Sequence, residues 1–228
     1  MKLFISAVFC FLTTLSYGQI DEDQNGAWYM YLFKTNINES NWGIQGDLQH
    51  RNWNVGGDLE QLLLRGGVTY SPDKSDVLLT LGGGRITTGQ FGESDNTTSE
   101  YRVYQEALYS VKLSSRIHSN HRFRYEQRWV EGQSMRTRFR YNLFINIPLN
   151  EKEMIQGTFY LALYNELFVN GEREIGPEEV VELFDRNRTY VAAGYVIKSG
   201  LKIQVGAMKQ TTDNWAKNQL QISTHHTF

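Results

Sequence analysis

The chain has 228 residues and a formal net charge of −2, with 23 Lys and Arg against 25 Asp and Glu, a balance that argues against a dedicated, basic nucleic-acid binder. Three Pro argue against a disordered or linker-rich chain. Aromatics at 13% with 20 Gly suit strands and tight turns better than a helix bundle.

Residues 1–18 come first. Lys2 is a short positive region, an apolar run follows to about Leu15, and Ser16 and Gly18 are small residues at −3 and −1 of a cleavage point before Gln19. This is the pattern of a secretory signal peptide, and it leaves 19–228 as one mature domain. The run is short against the roughly 20 apolar residues of a spanning helix, and no later stretch supplies one. Cys10, the single cysteine, leaves with the signal, so the mature chain has no disulfide, thiol nucleophile or thiolate metal site.

Beyond the signal the pattern is alternation. A weak segment lies at 27–36. Trp42, Ile44 and Leu48 then oppose Gln45, Asp47, Gln49 and Arg51, and Leu62, Leu64, Val68 and Tyr70 oppose Gln61, Arg65 and Thr69. Weaker segments follow at 76–88 and 99–113. His121, Phe123, Tyr125 and Trp129 oppose Arg122, Arg124, Glu126 and Arg128. The clearest stretch is 135–148, where Thr137, Phe139, Tyr141, Leu143, Ile145 and Ile147 oppose Arg136, Arg138, Arg140, Asn142 and Asn146. Ile155, Phe159, Leu161 and Leu163 oppose Gln156, Thr158, Tyr160 and Glu166. After a weaker segment at 184–198, Leu201, Ile203, Val205 and Ala207 oppose Lys202, Gln204 and Gln210. Last, Leu220, Ile222 and Phe228 oppose Gln219, Gln221 and Ser223. A period of two puts each set on its own face of a strand.

Turn signals at 38–41, 56–58, 71–76, 114–115, 132–134, 149–153, 199–200 and 211–214 separate the segments. Longer connections run over 89–98 and 169–183, and Val180, Val181 and Phe184 suggest a short helix over 177–184.

The expectation is an all-β, antiparallel, up-and-down transmembrane β-barrel of about 10–12 strands. A soluble sandwich or lipocalin-like barrel would turn the apolar face inward; an outer-membrane barrel turns it toward lipid. Long strands, an Arg-rich polar face with Glu partners, and Trp28, Tyr29, Trp42, Trp53, Tyr70, Trp129 and Tyr141 near strand ends as an interfacial girdle favour the membrane form. Closure would satisfy every backbone group in lipid. Bacterial barrels generally have an even strand number, so the eleven candidates imply ten, with 27–36 not a full strand, or twelve. The two long connections then fall on the extracellular side.

Phe228, preceded by alternating Leu220 and Ile222, resembles the C-terminal signal by which outer-membrane barrels are recognised for assembly. Leu-Leu-Arg-Gly-Gly-Val-Thr-Tyr at 63–70, His-Arg-Phe-Arg-Tyr-Glu-Gln-Arg at 121–128, Arg-Phe-Arg-Tyr at 138–141, Tyr-Asn-Glu-Leu-Phe at 164–168 and Phe-Asp-Arg-Asn-Arg at 184–188 resemble, in that order, an outer-membrane barrel family common in Bacteroidetes, domain of unknown function 2490. The resemblance spans about 27–228. It implies a barrel in the outer membrane of a Gram-negative bacterium after cleavage near Gly18, and no chemistry.

The candidate site is the set of charges on the polar parity: Arg51, Arg65, Glu100, Arg102, Arg122, Arg124, Glu126, Arg128, Arg136, Arg138, Arg140, Glu166 and Arg188, with Arg186 beside them. A ring of Arg would select anions in a narrow channel. Paired Arg and Glu would instead plug a lumen of this size, since only much larger barrels hold an open aqueous channel; the plug is the favoured alternative. No enzyme activity, cofactor or metal is expected. A barrel lipid hydrolase would need Ser119 or Ser223 with His121 or His225 and a third group. His118 and His121 point to opposite strand faces, which disfavours a shared metal. Glu172, Glu174, Glu178, Glu179, Glu182 and Asp185 could bind Ca²⁺ or Mg²⁺ that bridges lipopolysaccharide, a solvated loop being the plainer alternative. The expected partners are outer-membrane lipid, lipopolysaccharide and the barrel-assembly machinery, with no nucleic acid, and the expected state is a monomer. The alternative to a membrane location is a soluble periplasmic barrel holding an apolar ligand.

Overall fold

The computed structural model describes residues 24–92, 94–114 and 116–228, so the expected signal peptide lies outside it. In chain order the strands are β1 (Gly26–Asn36), β2 (Trp42–Asn52), β3 (Leu59–Tyr70), β4 (Val77–Gly89), β5 (Thr97–Lys112), β6 (His118–Val130), β7 (Arg136–Pro148), β8 (Phe159–Asn170), β9 (Glu174–Gly176), β10 (Glu179–Val180), β11 (Phe184–Lys198), β12 (Leu201–Thr211) and β13 (Ala216–Thr227). All but β9 and β10 form one closed barrel, in which each strand pairs with its chain neighbours and β1 closes on β13.

The barrel has eleven strands, not ten or twelve. The segment at 27–36 is the full strand β1, paired with β2 on one side and β13 on the other. A meander with an odd strand number ends in the direction in which it began. The closing pair is therefore parallel, with Trp28 opposite Gln221 and Leu32 opposite His225, while the other ten pairings are antiparallel. A parallel ladder pairs N–H and C=O groups as an antiparallel one does, so closure leaves no open edge.

Two further expectations change. The stretch at 177–184 contains no helix. Pro177 and Glu178 make a tight turn between β9 and β10, where Glu178 has φ 61° and Gly176 pairs with Glu179; Pro followed by a positive φ is a type II turn pattern. β8 begins at Phe159 rather than near Ile155, because residues 149–158 form a connection in which Gly157 has φ 87°.

The connections divide between two ends. One, the loop end, carries residues 53–58, 90–92, 94–96, 131–135, 171–183 and 212–215. The other, the turn end, carries 37–41, 71–76, 113–114, 116–117, 149–158 and 199–200.

The alternation in the sequence becomes an outside and an inside. The apolar parity faces out: Leu81 is 61% exposed, Phe123 55%, Phe139 53% and Val191 51%. The polar parity faces in, where Glu126, Arg138, Asn142 and Gln221 are buried. The expected aromatic girdle is split. Tyr29, Trp42 and Trp129 are on the outer wall, but Trp28 and Trp53 are buried. Trp28 Nε1 donates to Glu60 Oε2 at 2.8 Å and Trp53 Nε1 to the carbonyl of Gly89 at 3.2 Å, so the indole donors that an interfacial girdle would leave to headgroups are satisfied internally.

Inward glycines let bulky rings lie flat against the wall. A Cβ on Gly82 would enter the Tyr104 ring and one on Gly194 would enter the Tyr160 ring. Gly194→Val is expected to destabilise the folded barrel by about 1–3 kcal/mol through overpacking. Gly66→Ala, on the outer wall with its nearest neighbour at 3.9 Å, should change stability by no more than about 0.5 kcal/mol. Urea titration of both variants, read by the fraction that keeps a folded gel mobility, compares them directly.

Candidate functional site

The interior of the barrel has two parts. Toward the loop end it is filled by ion pairs. Glu100 accepts from Arg102 (Nε 2.5 Å, Nη2 2.8 Å) and from Arg128 (Nε 2.6 Å, Nη2 3.0 Å). Glu126 accepts from Arg138 Nη2 and from Arg140 Nη1, both at 2.6 Å. Arg138 also reaches Asp185 at 2.7 Å, and Asp185 meets Arg186 at 3.0 Å. Glu166 joins Arg140 (2.5 Å) to Arg122 (2.6 Å). Glu106 takes Arg124 at 2.5 Å, and Asp47 takes Arg65 at 2.7 Å. Rings fill the gaps between guanidiniums: Arg140 and Arg188 lie 4.4 and 4.7 Å from the Phe168 ring centre, and Arg124 lies 4.2 Å from that of Tyr104.

Why arginine performs this role follows from its shape. A planar fork with five donors can bind two carboxylates at once and stack on a ring. The strands bring several partners into register: Glu126 is directly opposite Arg138, Glu106 opposite Arg124 and Asp47 opposite Arg65.

The connection 171–183 folds over this end. The N–H of Ser134 donates to the carbonyl of Ile175, which is buried, and the N–H of Gly171 donates to that of Thr137. Glu172 accepts from the backbone N–H and the hydroxyl of Thr137, and these bonds hold its carboxyl below the usual range.

Toward the turn end the interior opens into a cavity of about 390 Å³, lined at its deep side by Trp28, Gln49, Arg51, Arg188 and Gln221, along its wall by the Asp47–Arg65, Glu106–Arg124 and Glu166–Arg122 pairs just described, and at its mouth by Lys34, Asn146, Lys202 and His225.

All thirteen expected lumen charges turn inward. The structure joins twelve of them to acceptors or rings in the contacts above and in those of Arg51, whose guanidinium lies 3.7 Å from the Trp28 ring centre and bonds Gln49 and Gln61. Arg136 sits at the loop-end margin, with its Nε buried and without an acceptor among the described residues. Phe228 lies outside, 68% exposed, its ring against His226.

Interior charges absent from the expected set include Lys34, Asp47, Glu60, Glu106, Asp185, Lys202 and Lys217. Asp47 and Glu106 share the parity of their arginine neighbours and were visible by that signal. Glu60 and Asp185 sit at register shifts, between Arg51 and Asn52 on the facing strand and between Phe184 and Arg186. A bulge breaks the period of two, so parity misassigns both.

The candidates for other chemistry separate. His121 faces out and contacts the Tyr141 hydroxyl at 2.8 Å, while Ser119 bonds the carbonyl of Val111. Ser223 Oγ and His225 Nε2 are 3.0 Å apart inside the cavity, but the residue opposite His225 is Lys202, not the carboxylate or amide that orients a catalytic imidazole. Of the acidic residues of the 171–185 stretch, Glu172 bonds Thr137, Glu182 pairs with Arg173, and Asp185 pairs with Arg138 and Arg186. Among the described residues no three His, Cys, Asp or Glu are grouped to hold a metal ion. No helix among them is long and apolar enough to cross a membrane.

Residues 25–221 match a family described as a protein of unknown function, DUF2490. No curated protein matches the chain.

Proposed function

The chain belongs to the DUF2490 family of proteins of unknown function, and from that premise we propose that it is a monomeric barrel of the Gram-negative outer membrane whose lumen is plugged rather than open. The observation that carries the reading is the outer wall. Leu, Val, Ile, Phe and Tyr side chains are exposed on strand after strand, from Tyr31 and Ile44 through Leu81 and Phe139 to Val205 and Ile222. In water such a surface exceeds any ordinary apolar patch; in lipid it is the surface required. Barrel strands of 11 to 16 residues are long enough to cross a bilayer at a tilt.

The N-terminal signal pattern supports export, and the lipid bilayer, lipopolysaccharide and the assembly machinery are the partners this reading supplies. Membership of a Bacteroidetes lineage fits the same strings of residues. The buried ion pairs at the loop end support a structural or binding role over passage of solutes. The Lys202 facing His225 argues against a hydrolase.

The test is planar-bilayer recording of the mature chain folded in detergent, with unheated and heated gel mobility as the folding control. The expected result is a heat-shifted band and no discrete conductance. Anion-preferring steps that change in Arg138→Gln/Arg140→Gln would overturn the plug. Recovery of the folded protein from the periplasm without detergent would overturn the membrane location.

A further inference from the structure

The plug neutralises most of the interior arginines, but two at the deep side of the cavity have only amide oxygens as hydrogen-bond partners, the nearby Glu60 carboxylate being bonded to the Trp28 indole. Arg51 donates to the amide oxygens of Gln49 and Gln61. Arg188 donates to Gln210 Oε1 at 2.7 Å, and Glu166 Oε2 stands off at 3.9 Å. Both guanidiniums approach the same ring, 3.7 and 4.7 Å from the centre of Trp28. A third cation lines the same cavity with a donor unused: Arg124 Nη1 is buried and has no hydrogen-bond partner among the described residues. The other two nitrogens of this guanidinium are held by Glu106, and a Glu126 oxygen stands 3.7 Å from Nη1.

Buried cations facing amides and unfilled space are costly unless an anion joins them. Guanidinium forks bind carboxylate and phosphate oxygens two at a time. The cavity, about 390 Å³, has the size of a small-molecule site. Its wall between the arginines and the mouth carries an apolar strip of Met30, Leu32, Phe144 and Ala162 beside Asp47, Glu106 and Glu166, each already paired with an arginine, and Lys34 and Lys202 stand at the mouth.

We propose that this cavity binds a small organic anion that enters from the turn end, its carboxylate or phosphate on Arg51 and Arg188 and its apolar body along Met30, Leu32 and Phe144. The proposal rests on the plugged, one-ended lumen and not on the membrane location, so fractionation and binding results fail separately.

The experiment is calorimetry on the full mature barrel in a non-ionic detergent, with phenyl phosphate, benzoate, inorganic phosphate and benzyl alcohol as probes. Saturable 1:1 binding of phenyl phosphate or benzoate is expected, with weaker binding of inorganic phosphate and none of benzyl alcohol. Arg51→Gln/Arg188→Gln should weaken it at least about tenfold, while Arg85→Gln, on the outer wall beside Tyr101, leaves it unchanged. Inorganic phosphate bound as tightly as phenyl phosphate would keep the anion site and remove the apolar subsite. Absence of saturable binding to folded protein, equal binding of benzyl alcohol, or full binding by the double variant would overturn the proposal. If the double variant does not fold, phenylglyoxal modification of the wild type decides the matter. Protection of Arg51 and Arg188 by phenyl phosphate, mapped by mass spectrometry, supports the site, and equal modification with and without the probe overturns it.

Discussion

Glu126→Gln is expected to destabilise the folded barrel by about 3–5 kcal/mol, the cost of removing one partner from a buried ion pair. Glu126 is 0% exposed. One carboxylate oxygen receives Arg138 through Nε and Nη2, and the other receives Arg140 through Nη1. Gln preserves the shape but removes the charge, and it turns an NH₂ toward a guanidinium, so donor meets donor. Arg138 keeps Asp185 and Arg140 keeps Glu166, which places the loss within that range rather than above it. Glu174→Gln, in the exposed hairpin over the loop end, is the control and should stay within about 0.5 kcal/mol. Equilibrium unfolding in urea, followed by tryptophan fluorescence in detergent, measures both. A loss below about 1 kcal/mol would mean that water screens the network and that the loop end is wetter than its burial indicates.

Val205→Arg carries the second large effect, and it separates lipid from water. Val205 is 48% exposed at the middle of β12, between Ala193 and Ile222 on the adjacent strands. An arginine at the bilayer midplane of a barrel costs about 2–4 kcal/mol, falling to about 0–1 kcal/mol near the interface. Thr211→Arg, outward at the loop-end limit of β12, is the matched interfacial variant. Folding titrations in phospholipid vesicles should therefore rank Val205→Arg well below Thr211→Arg. Two variants of equal stability would place the outer wall in water, where an exposed Val→Arg change costs almost nothing.

Both effects depend on which face of a strand a residue occupies, and that much was legible without coordinates. Period-two alternation separated Arg138, Arg140 and Asn142 from Phe139, Tyr141 and Leu143, and the structure keeps the two sets apart. The legibility ended where the period broke. Glu60 and Asp185 lie at bulges, where one extra residue reverses the relation between number and face. Trp28 and Trp53 failed differently: position near a strand end marks an interfacial ring only if its indole donor is left to the headgroups, and here Glu60 and the Gly89 carbonyl accept instead.

By itself the sequence determined the class of the fold, the segments that become barrel strands and the composition of the two faces, because these follow from local periodicity and turn chemistry. Only the tertiary structure decided the number eleven, the parallel seam between β1 and β13, and the division of the interior into a filled end and a cavity. The reason is closure. Which arginine finds a carboxylate and which is left with amides depends on residues far apart in the chain, such as Arg51 and Arg188, meeting across the lumen at Trp28, and no local pattern encodes that distance.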